Sequence, residues 1–244
     1  MADVAQQNLS ALAGEVHKRL KLVFGEPAWR RAHTPLDELI STILSQNTND
    51  RNRDIAFDRL RKRLPNWEAV RDADVGQVVD AIRIAGLANQ KGARIQEILR
   101  QITAERGNLD LSFLCTLSTD EARSWLLRFK GVGLKTAAIV LLFSLDKPAF
   151  PVDTHIYRVS GRVGLRPADM RVEEAHHHLE GLFNPHDYGV VHLNLIRLGR
   201  EICHARKPDC DHCPLCDICN FAHANMVECN QNPLEEPAKG FSRG

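Results

Sequence analysis

The chain has 244 residues, 43% of them apolar and 26% charged, with a formal net charge of +1. That composition is of the globular kind, long enough for one large domain or two small ones around a sizeable core. The near-neutral balance does not by itself announce a nucleic-acid partner, but two local clusters can meet phosphates. "RNRDIAFDRLRKRL" (51–64) holds five arginines and one lysine, and "CHARKPDC" (203–210) places His204, Arg206 and Lys207 between two cysteines. Each cluster taken alone is more simply a solvated helix face or loop.

No secretory leader is visible in "MADVAQQNLSALAGEV", which lacks a basic start and a long apolar centre. The longest apolar run, "AAIVLLF", is too short to span a bilayer. The expected setting is therefore the cytoplasm, with no membrane partner. Of seven cysteines, five lie between 203 and 219. In a reducing compartment such a cluster suggests a metal or cluster site rather than disulfides.

In chain order, "LDELISTILS" (36–45) has helical spacing of apolar residues, and Asp50 opens a second helix through "RNRDIAFDRLRKRL". "DADVGQVVDAIRIA" (72–85) predicts a third, stopped by Gly86. "NQKGARIQEILRQITAER" (89–106) predicts a fourth. Ser118 and Glu121 fit a capping box before "DEARSWLLRF". "KTAAIVLLFSL" follows a glycine turn and is too long, without a turn signal, for a buried strand. "THIYRVSGRV", "RVEEAHHHLEGLF" and "DYGVVHLNLIRLGREIC" complete an all-α chain of about ten helices. Residues 223–244 lack periodicity and predict a loose tail.

The turn "FKGVGLK" (129–135) carries the first candidate chemistry. Gly131 and Gly133 allow a sharp turn and close approach of another molecule. The N–H groups of 131–135 lack helical partners and have the positive end of a helix dipole behind them, so they form an anion site. Its occupant is a phosphate of DNA, a small anion or water. A cation at Lys135 is disfavoured at a helix start. That dipole and an expected partial burial both favour the neutral amine, a nucleophile or Schiff-base former. Asp153 precedes "THIYRV" as a natural N-cap, a role that still leaves one oxygen for a cleft.

Cys203, Cys210, Cys213 and Cys219 give C-x6-C-x2-C-x5-C within seventeen residues. Such a set holds tetrahedral zinc or an iron–sulfur cluster, and the single close pair with long arms favours the cluster. Cys216 is either an alternative ligand or a free neighbour. "HHH" (176–178) points in three directions about 100° apart on a helix and does not converge on one ion.

Together these segments resemble the endonuclease III family of base-excision DNA glycosylases. "FKGVGLKTAAIVL" is similar to its helix-hairpin-helix, "FPVDTHIYRV" to the segment with its catalytic aspartate, and "CHARKPDCDHCPLCDIC" to its iron–sulfur loop, apart from Cys216. "ILSQNTNDRNRDIAF" resembles its second-helix region, and the similarity runs from about 36 to 220. The resemblance implies two all-α domains flanking a DNA groove. One is a six-helix barrel (36–147); the other joins 1–35 to 148–222 and holds a [4Fe-4S] cluster on Cys203, Cys210, Cys213 and Cys219. It implies a bifunctional glycosylase/AP lyase acting as a monomer on damaged double-stranded DNA at the nucleoid, and removing oxidised pyrimidines. Lys135 falls on the nucleophile and Asp153 on the essential aspartate. Leu87 falls on the wedge residue, Gln46 or Asn47 on the residue that fills the flipped base's place, and His155 on a histidine near the lesion pocket. Gly131, Gly133, Arg206 and Lys207 fall on phosphate-facing loops. Two rivals remain. A mismatch glycosylase of the same fold usually has Tyr or Ser in place of Lys135. A non-enzymatic helix-hairpin-helix module needs neither Lys135 nor Asp153.

Overall fold

The structure is a computed structural model describing residues 2–27 and 33–225, with side chains from residue 6. Its helices are α1 (Ala2–Phe24), α2 (Pro35–Ser45), α3 (Asp50–Arg63), α4 (Trp67–Asp72), α5 (Val75–Ile82), α6 (Ala88–Arg106), α7 (Thr119–Leu127), α8 (Leu134–Leu145), α9 (Thr154–Val163), α10 (Val172–Glu180), α11 (Tyr188–Glu201) and α12 (Asn220–Ala224). Short 3₁₀ turns join some of them, and the described residues contain no strand. The protein is all-α, as its periodicity predicts.

The described residues fall into two compact units: α2 to α8, ending at Lys147, and α1 with everything from Pro148 on. In the first, α8 is the inner helix. Ala137, Val140 and Leu141 are fully buried, as are Leu39, Ile40 and Ile43 of α2, which packs on it. Few polar residues interrupt α8 because nearly every face of a central helix meets apolar neighbours. The capping box of α7 forms as expected: Ser118 Oγ accepts from Glu121 N at 3.2 Å, and the Glu121 carboxylate accepts from Ser118 N at 2.8 Å.

In the second unit α9 and α1 both pack on α11. Val16 and Leu20 of α1, Ile156 and Val159 of α9, and Leu195 and Leu198 of α11 are all buried. α1 is absent from the sequence expectations above, although Ala13, Val16 and Leu20 form its buried stripe. The single helix expected over 72–85 is also corrected. Asn66 caps α4, the chain breaks at Ala73, and Asp74 caps α5 by accepting from Gly76 N at 2.8 Å. Asp72 closes α4 instead of opening the expected helix, which starts at Val75 after its Asp74 cap and runs on through the 3₁₀ turn Arg83–Ala85. His223 and Ala224, assigned to the tail, belong to α12, while the tail from 226 on lies outside the described residues.

Candidate functional site

The glycine turn closes through Val132 N, which donates to Phe129 O at 3.0 Å, with the Val132 side chain buried beneath it. Gly131 has φ +85°, a conformation L side chains avoid. A Cβ there would also collide with the Arg94 guanidinium. Gly133 is extended and caps α8 without offering a side-chain acceptor, so the first N–H groups of α8 have no side-chain cap. Open space surrounds the place a Gly133 Cβ would occupy.

Lys135 is the second residue of α8 and is exposed, with no hydrogen bond or ion pair among the described residues. The expected partial burial is therefore corrected: Thr136, Ala137 and Ala138 take the inner positions and the lysine takes the outer one. Gln46 and Asn47 lie just beyond the C-terminus of α2. Gln46 has both ends of its amide engaged, donating to Gly131 O at 3.0 Å and accepting from Arg94 Nη1 at 3.0 Å. Asn47 is exposed, left-handed at φ +53°, and its side chain has no hydrogen bond among the described residues. Leu87 is also left-handed, at φ +49°, and 51% exposed. An exposed leucine in that backbone region is doubly unusual, because Cβ clashes there and apolar surface is left in water.

Behind both left-handed turns lies Lys91, 2% exposed. Its ammonium donates to Leu44 O at 2.7 Å and Ala85 O at 2.8 Å. Burial pushes this amine below the ordinary lysine value, and Arg94 adds to the effect. Lys91 and Arg94 were not singled out in the sequence, where "NQKGARIQ" looks like a plain helix face.

In the other unit, the loop before Asp153 is pinned at three atoms. Phe150 N donates to Glu180 Oε1 at 2.9 Å, His176 Nδ1 lies 3.2 Å from Phe150 O, and His192 Nδ1 lies 3.0 Å from Pro151 O. Carbonyl oxygens only accept, so both imidazoles carry hydrogen on Nδ1. His176 is thus a buried loop anchor, which corrects the expectation that all three consecutive histidines are partly exposed helix residues. Asp153 Oδ1 accepts from Ile156 N at 2.8 Å, and its other oxygen has no partner among the described residues. His155 Nδ1 lies 3.1 Å from Arg158 Nη2, which can only donate, so Nδ1 is the acceptor. Arg158 also reaches Gly199 O at 2.8 Å and Cys203 O at 3.0 Å, tying the start of α9 to the first cysteine.

Cys203, Cys210, Cys213 and Cys219 are free and line one cavity with Leu198 and Ile202. Burial pushes the Cys213 thiol up to about 12, and it raises Cys210 and Cys219 as well. Cys216 lines the same cavity and is disulfide-bonded, a departure from the expectation that this cysteine cluster forms no disulfide. Among the described residues, no three His, Cys, Asp or Glu side chains converge to hold a single metal ion. Arg162 donates to Cys203 Sγ at 3.3 Å and to Ala205 O at 3.0 Å, shaping the loop on which Arg206 and Lys207 stand exposed.

The chain and its all-helical fold are similar to known proteins. Residues 40–185 match the family described as HhH-GPD superfamily base excision DNA repair protein. Endonuclease III of Sulfolobus acidocaldarius is 34% identical over 190 residues, covering 77% of this chain and 82% of that one. Endonuclease III of Thermotoga maritima is 32% identical over 213 residues, covering 87% and 92%. A solved non-covalent endonuclease III–DNA complex superposes with a TM-score of 0.76 at 26% identity, covering 91% of this chain and 99% of that one. The chain belongs to the HhH-GPD superfamily of base excision DNA repair proteins and is a DNA glycosylase/AP lyase of the endonuclease III type. No described helix is long and apolar enough to cross a membrane.

Proposed function

We propose that this enzyme removes oxidised pyrimidines from duplex DNA with Lys135 as nucleophile, then cleaves the strand by β-elimination. The observation that carries the reading is Lys135 itself: exposed, unpaired, and on the first turn of α8 directly after the hairpin. A damaged base cannot be attacked within the stack, so it is flipped out. The uncapped N–H groups at the start of α8 take a nearby phosphate. The amine nitrogen of Lys135 forms a bond to sugar C1′ as the glycosidic bond breaks, and the departing base takes up a proton given off by that amine. The sugar ring opens to a Schiff base, which acidifies a C2′ proton. Loss of that proton expels the 3′ phosphate and cuts the strand. The resemblance gives Asp153 the task of stabilising cationic sugar character, and one of its oxygens, the one that does not cap α9, has no partner among the described residues.

Leu87 is the wedge, and its exposed left-handed position supports that role. Asn47, rather than Gln46, fills the place of the flipped base, since both ends of the Gln46 amide are already engaged. Cys203, Cys210, Cys213 and Cys219 would hold a [4Fe-4S] cluster. Four thiols around one cavity, spaced as one close pair with long arms, suit a multi-iron body better than a single tetrahedral ion. When bound, the cluster supplies a cross-link that holds Arg206 and Lys207 toward phosphates.

Borohydride trapping on duplex DNA containing an abasic site tests the reading. The wild-type protein should form a covalent adduct, whereas Lys135→Gln should form none while still binding the DNA. An adduct in Lys135→Gln would place the nucleophile elsewhere.

A further inference from the structure

We infer that Lys91 and Arg94 of α6 are positioning residues that hold the two left-handed turns bearing Asn47 and Leu87 and tie the first of them to the hairpin. The inference rests on the wedge and gap-filling roles proposed above.

Both turns begin where a helix stops and leaves carbonyls without helical partners. Leu44 O is in the last turn of α2, three residues before Asn47, and Ala85 O ends the 3₁₀ turn two residues before Leu87. The Lys91 ammonium takes both, at 2.7 and 2.8 Å, and its backbone N–H takes Leu87 O at 3.0 Å. One side chain thus grips the chain two residues before Leu87 and three residues before Asn47. A buried ammonium without a carboxylate partner is costly, and a non-glycine residue in the left-handed region persists only where its surroundings fix it. Here the costly group supplies the bonds that fix both strained turns.

Arg94, one helical turn on, acts at the next atoms. It donates to Gln46 Oε1 at 3.0 Å and lies over Gly131, where a Cβ would displace it. Gln46 in turn donates to Gly131 O at 3.0 Å. The turn at Asn47 is therefore fastened to the hairpin that carries the phosphate site. Misplacement by about 1 Å is enough to cost on the order of 100-fold in a positioned reaction.

The test compares two substrates at a temperature where each variant is folded by circular dichroism. One is a duplex with thymine glycol opposite adenine, which requires a base to leave the stack. The other is a single strand with a preformed abasic site, which does not. Arg94→Met and Lys91→Met should each slow single-turnover excision from the duplex by roughly 10- to 100-fold. Borohydride trapping on the single strand should stay within about two-fold of wild type, because Lys135 is untouched. Leu87→Ala is the control. If Leu87→Ala shows no duplex-selective loss, the wedge reading fails. If it does and the α6 variants lose both activities equally, or neither, the wedge stands and this inference is overturned. Should Lys91→Met not fold, Lys91→Gln takes its place. If no Lys91 variant folds and Arg94→Met is unselective, the pair serves the core alone and the inference falls.

Discussion

The two oxygens of Asp153 have different surroundings, and this lets its structural and chemical roles be separated. Oδ1 caps α9 through Ile156 N, while the other oxygen has no partner among the described residues. Asparagine caps a helix about as well as aspartate. Asp153→Asn should therefore melt within a degree or two of wild type, on the order of a few tenths of a kcal/mol. Asp153→Ala should lose about 1 kcal/mol with its cap. Both should excise base more slowly by orders of magnitude, since neither places a negative charge beside the developing cationic sugar. Single-turnover excision together with thermal melting checks this; wild-type excision by the asparagine variant would leave Asp153 a cap and nothing more. At this scale the sequence is informative where punctuation surrounds the residue. Lys135 stands two residues after Gly133 and Asp153 two residues after Pro151, so each is visible at a helix start. Lys91, Arg94, Arg158, His176 and His192 lie inside regular helices, and what singles them out is a partner many residues away, such as His192 with Pro151.

At the scale of the element, the two hairpin glycines serve different purposes despite their symmetrical look in "GVG". Gly131 answers to the protein: its φ of +85° and the Arg94 side chain both exclude a Cβ. Gly133 answers to the ligand, because its backbone is one any residue adopts and the space beside it is empty. Gly131→Ala should therefore destabilise the protein by more than about 1 kcal/mol. Gly133→Ala should melt like wild type yet bind abasic duplex at least about 10-fold more weakly, the new methyl occupying the phosphate's approach. Calorimetry with a binding titration decides it. Equal melting losses would make both glycines structural, and unchanged binding by Gly133→Ala would move the phosphate away from this turn. The helices themselves were legible where one apolar stripe runs between strong caps, as in α7. They were misjudged at the start of the helix expected over 72–85, where Asp74 diverts the backbone into a cap and apolar spacing alone does not register the break at Ala73.

At the scale of the whole molecule, one unit is built from the two distant ends of the described chain, and no local pattern announces that. α1 lies against α11, with Asn194 Nδ2 donating to Gly25 O at 3.1 Å and the Arg197 guanidinium 4.6 Å from the centre of the Phe24 ring. Only the family resemblance joined the N-terminal segment to the cysteine region; α1 itself is absent from the expectations read from its residues. Its Arg19 supplies the physical link. The guanidinium donates to Pro214 O at 3.2 Å and to Asp217, both within the loop that runs from Cys213 to Cys219, and the Arg19 side chain is 17% exposed. An exposed ion pair contributes little, but a covered guanidinium bonded to a backbone carbonyl constrains the loop directly. Protein purified without oxygen should contain about four irons per chain. Arg19→Met keeps the stem and removes both bonds, so it should release iron to a chelator several-fold faster while α1, α9 and α11 keep their packing and the helical signal is unchanged. Cys216→Ser should leave the iron content intact. Stoichiometric zinc in place of iron would overturn the cluster assignment, and identical iron-release rates for Arg19→Met and wild type would mean that the four cysteines hold the loop without help from the N-terminal helix.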